Sequence, residues 1–352
     1  MKKILFITFS DNADHQDMAI AMYDAIKKDY DSYLIITENA KVEVEDDNHI
    51  IRVKCPLRPG LTRGTFNVGN FQKVYNWIKK GEFDDIFFES LHLWNVFIMQ
   101  LHKKPKYYQM VFDVIPHEGA KSVEIMNKTI GKQADLIVLT NEKYLSTMST
   151  MYNIPIEKIK WIPMVRRFPE YSMPRMTKKC LFFGRINPYK GANNLYEIAK
   201  RCKSISFEVF GPVSEQEKDV VNKLTSLPNV DVHPGYITGN QMGEAFRDCD
   251  WVLLPYSSAT ISGVVVDAYR YSRPVLAFDV GAIHEQISEG KSGYIIPANN
   301  IGAFCEKLES VINYDNDTYS LMCQNAYQYG QEQYGVICAR KRLKYLFDGG
   351  VV

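Results

Sequence analysis

The sequence lacks the cysteine pattern of a disulfide framework or a zinc site. Its seven cysteines lie at positions 55, 180, 202, 249, 305, 323 and 338, and no two of them form a Cys-x-x-Cys pair. An odd and scattered set excludes both the regular pairing of a small secreted scaffold and the paired ligand spacing of zinc. We therefore expect a protein of a reducing compartment, with a cytoplasmic location.

Long apolar runs are also absent. No stretch approaches the roughly 20 residues needed to cross a bilayer. Asp11 and Asp14 interrupt the apolar start of the chain before it reaches the length of a signal-peptide core. The first segment is therefore predicted to be a buried strand. The chain is expected to be soluble or attached only to the inner face of a membrane.

An excess of one charge is missing too, because 42 Lys and Arg residues balance 41 Asp and Glu residues to a formal net charge of +1. Proteins that bind nucleic acid normally carry a strong basic excess, so we expect no nucleic-acid partner. The 352 residues, 46% hydrophobic and 24% charged, have an ordinary globular composition. A chain of this length exceeds what one core usually serves, which predicts two domains.

Short apolar runs alternate with amphipathic segments in both halves of the chain, a pattern typical of parallel sheets with helices on their faces. The fold class is therefore α/β. The predicted strands are 4–9, 33–37, 49–53, 86–88, 108–112, 136–139, 179–183, 206–210, 230–233, 251–255, 274–278 and 293–296. The predicted helices include 17–28 and 71–80.

The periodicity fails between residues 154 and 177, where four prolines gather, and this predicts the interdomain linker. The expected domains are residues 1–165 and 178–324. Residues 325–352 follow as a C-terminal helical segment, aromatic over 325–347, that is free to cross back to the N-terminal domain.

The sharpest motif is GRINPYKG, from Gly184 to Gly191, which directly follows a predicted strand. Glycines at both ends let the backbone approach a ligand closely. Arg185 and Lys190 supply fixed positive charge of the kind that stabilises a departing pyrophosphate without a metal. An ordinary solvated loop is the alternative, but the strand before the motif and the helix after it favour a ligand site.

A second motif surrounds Ser262 and Gly263, after a small-residue loop that includes Thr260. A helix that begins with Ser-Gly presents unpaired N–H groups and the positive end of its dipole, which suit a phosphate. Asp267, one turn further on, is placed to hydrogen-bond a ribose diol; its alternative role is a solvated carboxylate favourable to the dipole. The next strand-to-helix loop brings Glu285 toward the same crevice.

Residues 180 to 300 resemble the donor domain of the retaining glycosyltransferases called glycosyl transferases group 1. The resemblance rests on an ordered series: Gly184, Arg185, Lys190, Gly191, Pro255, Ser262, Gly263, Asp267, Ala268, Pro274, Val275, Gly281, Glu285 and Gly293. It implies a GT-B fold, in which two Rossmann-like, doubly wound parallel sheets face a central cleft. The C-terminal domain would bind a nucleotide sugar and the N-terminal domain an acceptor.

By the same resemblance, Arg185 and Lys190 hold the donor diphosphate and Asp267 holds the ribose. The expected donor-binding set is completed by Gly184, Thr260, Ser262, Gly263 and Glu285. The family often carries two glutamates separated by seven residues, and this chain has Ala259 and Asp267 at those positions. Hydroxyls of Ser258 and Thr260 are the available replacements, so the donor sugar stays open.

Candidate acceptor contacts lie in the N-terminal half. Glu89 and His92 follow a predicted strand, at the edge where parallel sheets bind ligands. His117, in FDVIPHEG, resembles the last residue of the His-Asp-x-x-Pro-His segment of some family members, with Phe112 in place of the first His. His117 is therefore a candidate catalytic residue that contacts the transferring sugar or the acceptor hydroxyl. The alternative is a solvated loop histidine.

A set of basic and aromatic residues also occurs in the N-terminal half. One interpretation is that it contacts an anionic lipid surface or a lipid-linked acceptor, and the other is that it forms a solvated edge. Its members are Arg58, Arg63, Lys103, Lys104, Lys106, Tyr107 and Tyr108. A peripheral membrane contact is therefore one of two interpretations.

Two Asp-x-Asp triplets, Asp248 to Asp250 and Asp315 to Asp317, have the composition of a manganese site. The first precedes a predicted strand at its amino end, away from the ligand-binding edge, and the second is a polar turn. We therefore predict no metal and no cofactor, with a nucleotide diphosphate sugar as substrate.

The predicted activity is transfer of a sugar to a glycan or lipid-linked acceptor in cell-surface polysaccharide synthesis, with retention as the resemblance implies. Two alternatives share the fold. One is a nucleotide-sugar epimerase or a phosphorylase. The other is a non-catalytic partner of an active transferase, which Ala259 in place of an acidic residue makes conceivable.

Overall fold

The computed structural model describes residues 1–44, 47–56, 63–115, 121–237 and 239–349. Its strands are β1 (Lys3–Thr8), β2 (Asp31–Thr37), β3 (Ile50–Val53), β4 (Asp85–Phe88), β5 (Lys106–Val111), β6 (Leu136–Leu139), β7 (Ile159–Trp161), β8 (Lys179–Phe183), β9 (Ser206–Gly211), β10 (Val230–Pro234), β11 (Trp251–Leu254), β12 (Val275–Phe278) and β13 (Gly293–Ile296). Its α-helices are α1 (Ala13–Ile26), α2 (Val68–Gly81), α3 (Leu93–Leu101), α4 (Lys121–Gln133), α5 (Leu145–Tyr152), α6 (Ala192–Arg201), α7 (Lys218–Thr225), α8 (Gly239–Arg247), α9 (Gly263–Arg270), α10 (Ile301–Val311), α11 (Asn316–Tyr334) and α12 (Val336–Asp348).

The chain forms two compact units. Unit 1 comprises Met1–Arg167 together with Tyr334–Val352, and unit 2 comprises Phe168–Gln333. The prediction of an α/β chain with two parallel, Rossmann-like sheets is confirmed.

Unit 1 is built on a parallel sheet with the order β3-β2-β1-β4-β5-β6-β7 over the described residues. Alternate residues of β1 serve opposite faces, as the two-residue period of a strand requires. Leu5 and Ile7 join one apolar core, whereas Ile4 and Phe6 join the other. Both faces of the sheet are therefore covered, as is usual for parallel sheets.

The last helix, α12, belongs to unit 1. Its apolar face buries Ala339, Leu343, Leu346 and Phe347 in the same core as Phe6. The ring of Phe347 meets the ring of Phe6 edge-on, with centroids 6.1 Å apart. The C-terminal end of the chain thus supplies part of the core of the first strand.

Unit 2 is built on a second parallel sheet with the order β10-β9-β8-β11-β12-β13 over the described residues. In both sheets the strand order reverses beside the first strand of the unit, between β1 and β4 and between β8 and β11. In open α/β sheets, ligands bind beyond the carboxyl ends of the strands at this reversal. The loops after these four strands are therefore the places to look for chemistry.

The predicted strands agree with the structure, with small differences at their ends, but two segments differ from expectation. The proline-rich stretch predicted as linker contains β7, a three-residue strand that pairs with β6. The single aromatic helix predicted over 325–347 is two helices, α11 and α12, which are separated at Gly335. Gly335 has an extended backbone (φ −78°, ψ 173°) and forms the N-cap of α12, so the helix cannot run through it.

Asp250, at the amino end of β11, is fully buried. Its carboxylate accepts hydrogen bonds from the backbone N–H and the hydroxyl of Thr177, at 2.7 and 2.8 Å, and from the N–H of Lys178 at 2.7 Å. The residue therefore fixes the chain just before β8. Its role explains the Asp-x-Asp triplet at 248–250 as structural.

We predict that Asp250→Ala lowers the free energy of unfolding of unit 2 by about 3 kcal/mol, because it leaves buried N–H donors without an acceptor. Urea unfolding followed by circular dichroism measures the change. Asp248→Ala is the matched control, since that side chain is exposed. Equal midpoints for the two variants would contradict the structural role.

Candidate functional site

The loop after β8 encloses the side chain of Lys190. Gly184 has a φ of +102°, and a Cβ at this position would lie 2.5 Å from Nζ of Lys190. Lys190 is only 8% exposed, and its ammonium donates to the carbonyl oxygen of Phe183 at 3.3 Å. The left-handed φ favours glycine at 184, and the missing Cβ leaves the ammonium group of Lys190 in its present position.

The start of α9 lies against the same glycine. A Cβ at Gly184 would be 3.7 Å from Cγ2 of Val264, in the first turn of α9. Ser262 is the N-cap residue, but its hydroxyl makes no cap hydrogen bond. The Lys190 ammonium and the N-terminus of α9, at Gly263, therefore both lie close to Gly184. A cation beside a helix N-terminus is an arrangement that suits phosphate.

Gln286 holds the start of α9 in place. Its buried amide accepts a hydrogen bond from the N–H of Ser262 at 2.7 Å and donates to the carbonyl of Ser262 at 3.1 Å. The sequence analysis predicts Glu285, the residue before Gln286, as the donor contact. No pattern in a single sequence shows which of these two neighbouring side chains points inward. The structure shows Glu285 as the exposed one.

Two further glycines let the neighbouring loops touch. A Cβ at Gly191 (φ +71°) would lie 2.0 Å from the carbonyl oxygen of Pro255, and a Cβ at Gly281 (φ +61°) would lie 1.6 Å from that of Ala259. Hydrogen bonds accompany both contacts, from Ser257 N–H to the Tyr189 carbonyl at 2.8 Å and from Ala282 N–H to the Thr260 carbonyl at 3.0 Å. The loops after β8, β11 and β12 thus form one continuous surface.

Arg185 lies on the same loop as Lys190 but points elsewhere. Its side chain is exposed, and its guanidinium donates to the hydroxyl of Tyr236 at 3.1 Å. Tyr236 is itself 80% exposed. The structure therefore brings together Lys190, Gly184 and the start of α9, whereas Arg185 sits at the rim.

Asp267 is 4% exposed, which excludes the solvated-carboxylate interpretation. It lies on α9, one turn beyond Gly263. Thr260 and Glu285 are exposed, and Oε1 of Glu285 is 3.9 Å from the ring of His284. Among the predicted donor contacts, Asp267 is thus part of the protein interior and the other two are surface groups.

One group of side chains within the described residues has the spacing of metal ligands: Glu208, Asp231 and His233, whose ligand atoms lie within 4.8 Å of one another. These groups already serve as partners. His233 is 2.8 Å from Glu208, and the Lys179 ammonium is 3.2 Å from the same carboxylate. Asp315, of the second Asp-x-Asp triplet, caps the turn before α11 by accepting from Thr318 N–H at 2.7 Å.

His92 differs from the expected acceptor contact. It is the N-cap residue of α3: Nδ1 accepts from Trp94 N–H at 3.1 Å, and Nε2 donates to the Pro56 carbonyl at 3.2 Å. Burial lowers the pKa of His92 to about 4, so the ring is neutral. Both nitrogens have partners within the protein, so the side chain holds the start of α3, and its contact with an acceptor stays a prediction.

Glu89, by contrast, keeps a polar partner at the edge of the sheet. It is fully buried, and its Oε1 lies 2.8 Å from Nδ1 of His15, which precedes it by 74 residues. The sequence analysis does not predict the contact of His15 with Glu89, because nothing in the FSDNADHQD segment indicates which distant residue His15 contacts.

Some expectations fall partly or wholly outside the described residues. His117 and Arg58 lie there, and so does the side chain of Arg63. Of the basic and aromatic set, Tyr107 and Tyr108 are buried and therefore belong to the core rather than to a lipid-facing surface. No helix in the described part of the chain combines the length and apolar character needed to span a membrane.

The two parallel, Rossmann-like sheets have the GT-B fold of the solved structures described below. Residues 177–314 match the family described as Glycosyl transferases group 1. The resemblance expected from the sequence is confirmed over these residues, which form a glycosyltransferase family domain.

Curated relatives extend the comparison. An uncharacterized 41.2 kDa protein in the cps region of Klebsiella pneumoniae is 23% identical over 311 residues, 78% of this chain and 84% of that protein. The putative colanic acid biosynthesis glycosyltransferase WcaL of Salmonella typhimurium is 24% identical over 204 residues, 53% of this chain and 50% of that protein.

Solved structures share the fold along nearly the whole chain. Anabaena Alr3699/HepE in complex with UDP-glucose has a TM-score of 0.74 at 14% identity, covering 99% of this chain and 100% of that chain. Sucrose-phosphate synthase from Thermosynechococcus elongatus has a TM-score of 0.70 at 14% identity, covering 99% of each chain. At these identities the likeness shows the fold alone.

We predict that Gly281→Ala lowers the melting temperature more than Gly290→Ala does. Both glycines have positive φ, so both alanines meet backbone strain of about 1–2 kcal/mol. Only a Cβ at Gly281 strikes backbone, whereas nothing lies within 4 Å of one at Gly290. Equal shifts in a thermal melt would show that the loops do not depend on this contact.

Proposed function

We propose that this protein transfers a sugar from a nucleotide diphosphate sugar to a glycan or lipid-linked acceptor without a metal. The donor diphosphate binds between the Lys190 ammonium and the N-terminus of α9. Asp267 serves the ribose, and Arg185 swings from Tyr236 to the phosphates when the donor arrives. Retention of configuration is part of the proposal and comes from the family resemblance.

The observation that carries the proposal is the position of Lys190. A lysine side chain that is 8% exposed is uncommon, because burial of an ammonium group costs free energy unless it is compensated. Here the cation is held beside a glycine with positive φ and beside the first turn of a helix. A diphosphate at this point would meet both the fixed charge and the helix dipole.

The chemistry follows from the charge. When the bond between the sugar and the phosphate breaks, negative charge accumulates on the departing diphosphate. A preorganised ammonium and the N–H groups in the first turn of α9 would stabilise that charge without reorganising. In the proposed retaining reaction, an oxygen of the leaving diphosphate is available to take the acceptor proton.

The comparisons support the substrate class. The printed descriptions of the Anabaena structures name UDP, glucose and UDP-glucose as bound ligands. The curated relatives include proteins described by a cps region and by colanic acid biosynthesis. We therefore propose a nucleotide sugar as donor and a role in making a cell-surface polysaccharide.

Lys190→Met removes the charge and keeps the aliphatic stem. We expect turnover to fall roughly 10²-fold or more, the cost of removing one group that stabilises the transition-state charge. The nucleotide of the chosen donor should no longer raise the melting temperature of the variant, because a ligand stabilises only the state that binds it. The donor is chosen beforehand by a thermal-shift screen of UDP-, GDP-, ADP- and CMP-sugars.

Lys200→Met is the matched control, because Lys200 is an exposed lysine in the last turn of α6, in the same unit. It should keep both turnover and the nucleotide-dependent shift in melting temperature. A Lys190→Met protein with the turnover of the control would reject the donor-site assignment. Conversion of the nucleotide sugar to an isomer, with no acceptor present, would point to an epimerase instead.

A further inference from the structure

Tyr256 lies beside Lys190 at the strand-order reversal of unit 2. It is the second residue after β11, and the ammonium of Lys190 lies over its ring, with Nζ 5.2 Å from the ring centroid. The ring of Tyr189 packs edge-on against it, with centroids 6.3 Å apart. The N–H of the next residue, Ser257, donates to the Tyr189 carbonyl at 2.8 Å. Tyr256 is therefore held within the loop surface that carries the candidate donor site.

The ring of Tyr256 stabilises the buried lysine. A cation within about 6 Å of an aromatic centroid is attracted by the face of the ring. The carbonyl of Phe183 also accepts a hydrogen bond from the Lys190 ammonium, so the two contacts together offset part of the cost of burying this charge. A phenylalanine ring would attract the cation in the same way. The contact therefore accounts for the ring of Tyr256 and leaves its hydroxyl unexplained.

The hydroxyl of Tyr256 is buried without a partner. The residue is 2% exposed, and its phenol oxygen has no hydrogen-bond partner among the described residues. A buried hydroxyl in this condition costs free energy, and such groups are rare in native proteins. Tyr319 shows the usual arrangement, because its buried hydroxyl donates to the carbonyl of Asp250 at 3.1 Å, at the other end of β11. The Tyr256 hydroxyl is thus a donor to which a ligand can supply the acceptor.

The surroundings of Tyr256 indicate the charge of that ligand. The Lys190 ammonium and the N-terminus of α9 both lie close to Gly184. Each of them offers N–H donors and positive charge, and the phenol adds an O–H donor on the side of the ammonium that faces its ring. Several donors that converge with positive charge suit an anion with several oxygens, such as a diphosphate.

We propose, on the basis of the proposed function, that the hydroxyl of Tyr256 donates a hydrogen bond to a phosphate oxygen of the diphosphate that Lys190 binds. The phenol keeps its proton throughout, and the hydrogen bond strengthens as negative charge accumulates on the leaving diphosphate. Entry of the diphosphate moves the adjoining segment 257–261, which forms neither helix nor strand. The ring of Tyr256 then positions the cation, and its hydroxyl contacts the substrate.

The test is Tyr256→Phe, which removes the hydroxyl and keeps the ring. Binding of UDP, GDP and ADP is measured by isothermal titration calorimetry, and the tightest of the three is used. The Kd for this diphosphate should rise roughly 10- to 100-fold, the effect of losing one hydrogen bond to a charged group. Without nucleotide, the melting temperature should rise, because the variant no longer buries an unpaired hydroxyl. Weaker binding together with higher stability is the expected signature.

Tyr319→Phe is the matched control, because it removes a buried tyrosine hydroxyl of the same unit that is already paired. It should lower the melting temperature by roughly 2–4 °C, the effect of one lost hydrogen bond in a unit of this size. Its Kd for the diphosphate should equal that of the wild type. The two variants are therefore expected to differ from the wild type in opposite directions of stability.

Two results would overturn the proposal. One is a Tyr256→Phe protein with the wild-type Kd and a lower melting temperature, which would assign the hydroxyl to an internal water. The other is an equal loss of affinity for the nucleoside without phosphates, which would place the hydroxyl on the base or ribose. A wild-type protein that binds none of the three diphosphates would instead contradict the proposed function, and the inference would fall with it.

Discussion

Contact between backbones at two glycines holds the candidate donor site together. A side chain at Gly191 or Gly281 would collide with the carbonyl oxygen of Pro255 or Ala259. Because neither position has a Cβ, the loops after three neighbouring strands pack directly on one another. The enclosed ammonium of Lys190, the clamped start of α9 and the fold of the small-residue loop between them all depend on this close approach.

The two units place different chemistry at equivalent positions. In each sheet the strand order reverses beside the first strand, and polar groups gather just beyond that point. In unit 2 they are a cation and a helix N-terminus, which suit a departing anion. In unit 1 they are a histidine and a buried carboxylate, which suit a proton.

The sequence predicted what is local and missed what depends on distant contacts. Apolar runs gave twelve of the strands, and glycines beside charged residues led to Lys190, because strand, loop and helix are adjacent in the chain. The strand β7 was missed because three residues between prolines carry no period. His15 was missed because its partner is 74 residues away. The capping role of His92 was missed because a capping residue and a ligand-binding residue both follow a strand and precede a helix.

The placement of α12 has a consequence for anyone who wishes to study the units separately. Because this last helix buries Leu343 and Phe347 in the core beside β1, unit 1 is assembled from both ends of the polypeptide. Stopping translation at Arg167 would leave an apolar stripe uncovered and an aggregation-prone fragment. A circular permutant that joins residues 334–349 to Met1 would restore that cover, and unit 2 is the one obtainable as an uninterrupted stretch.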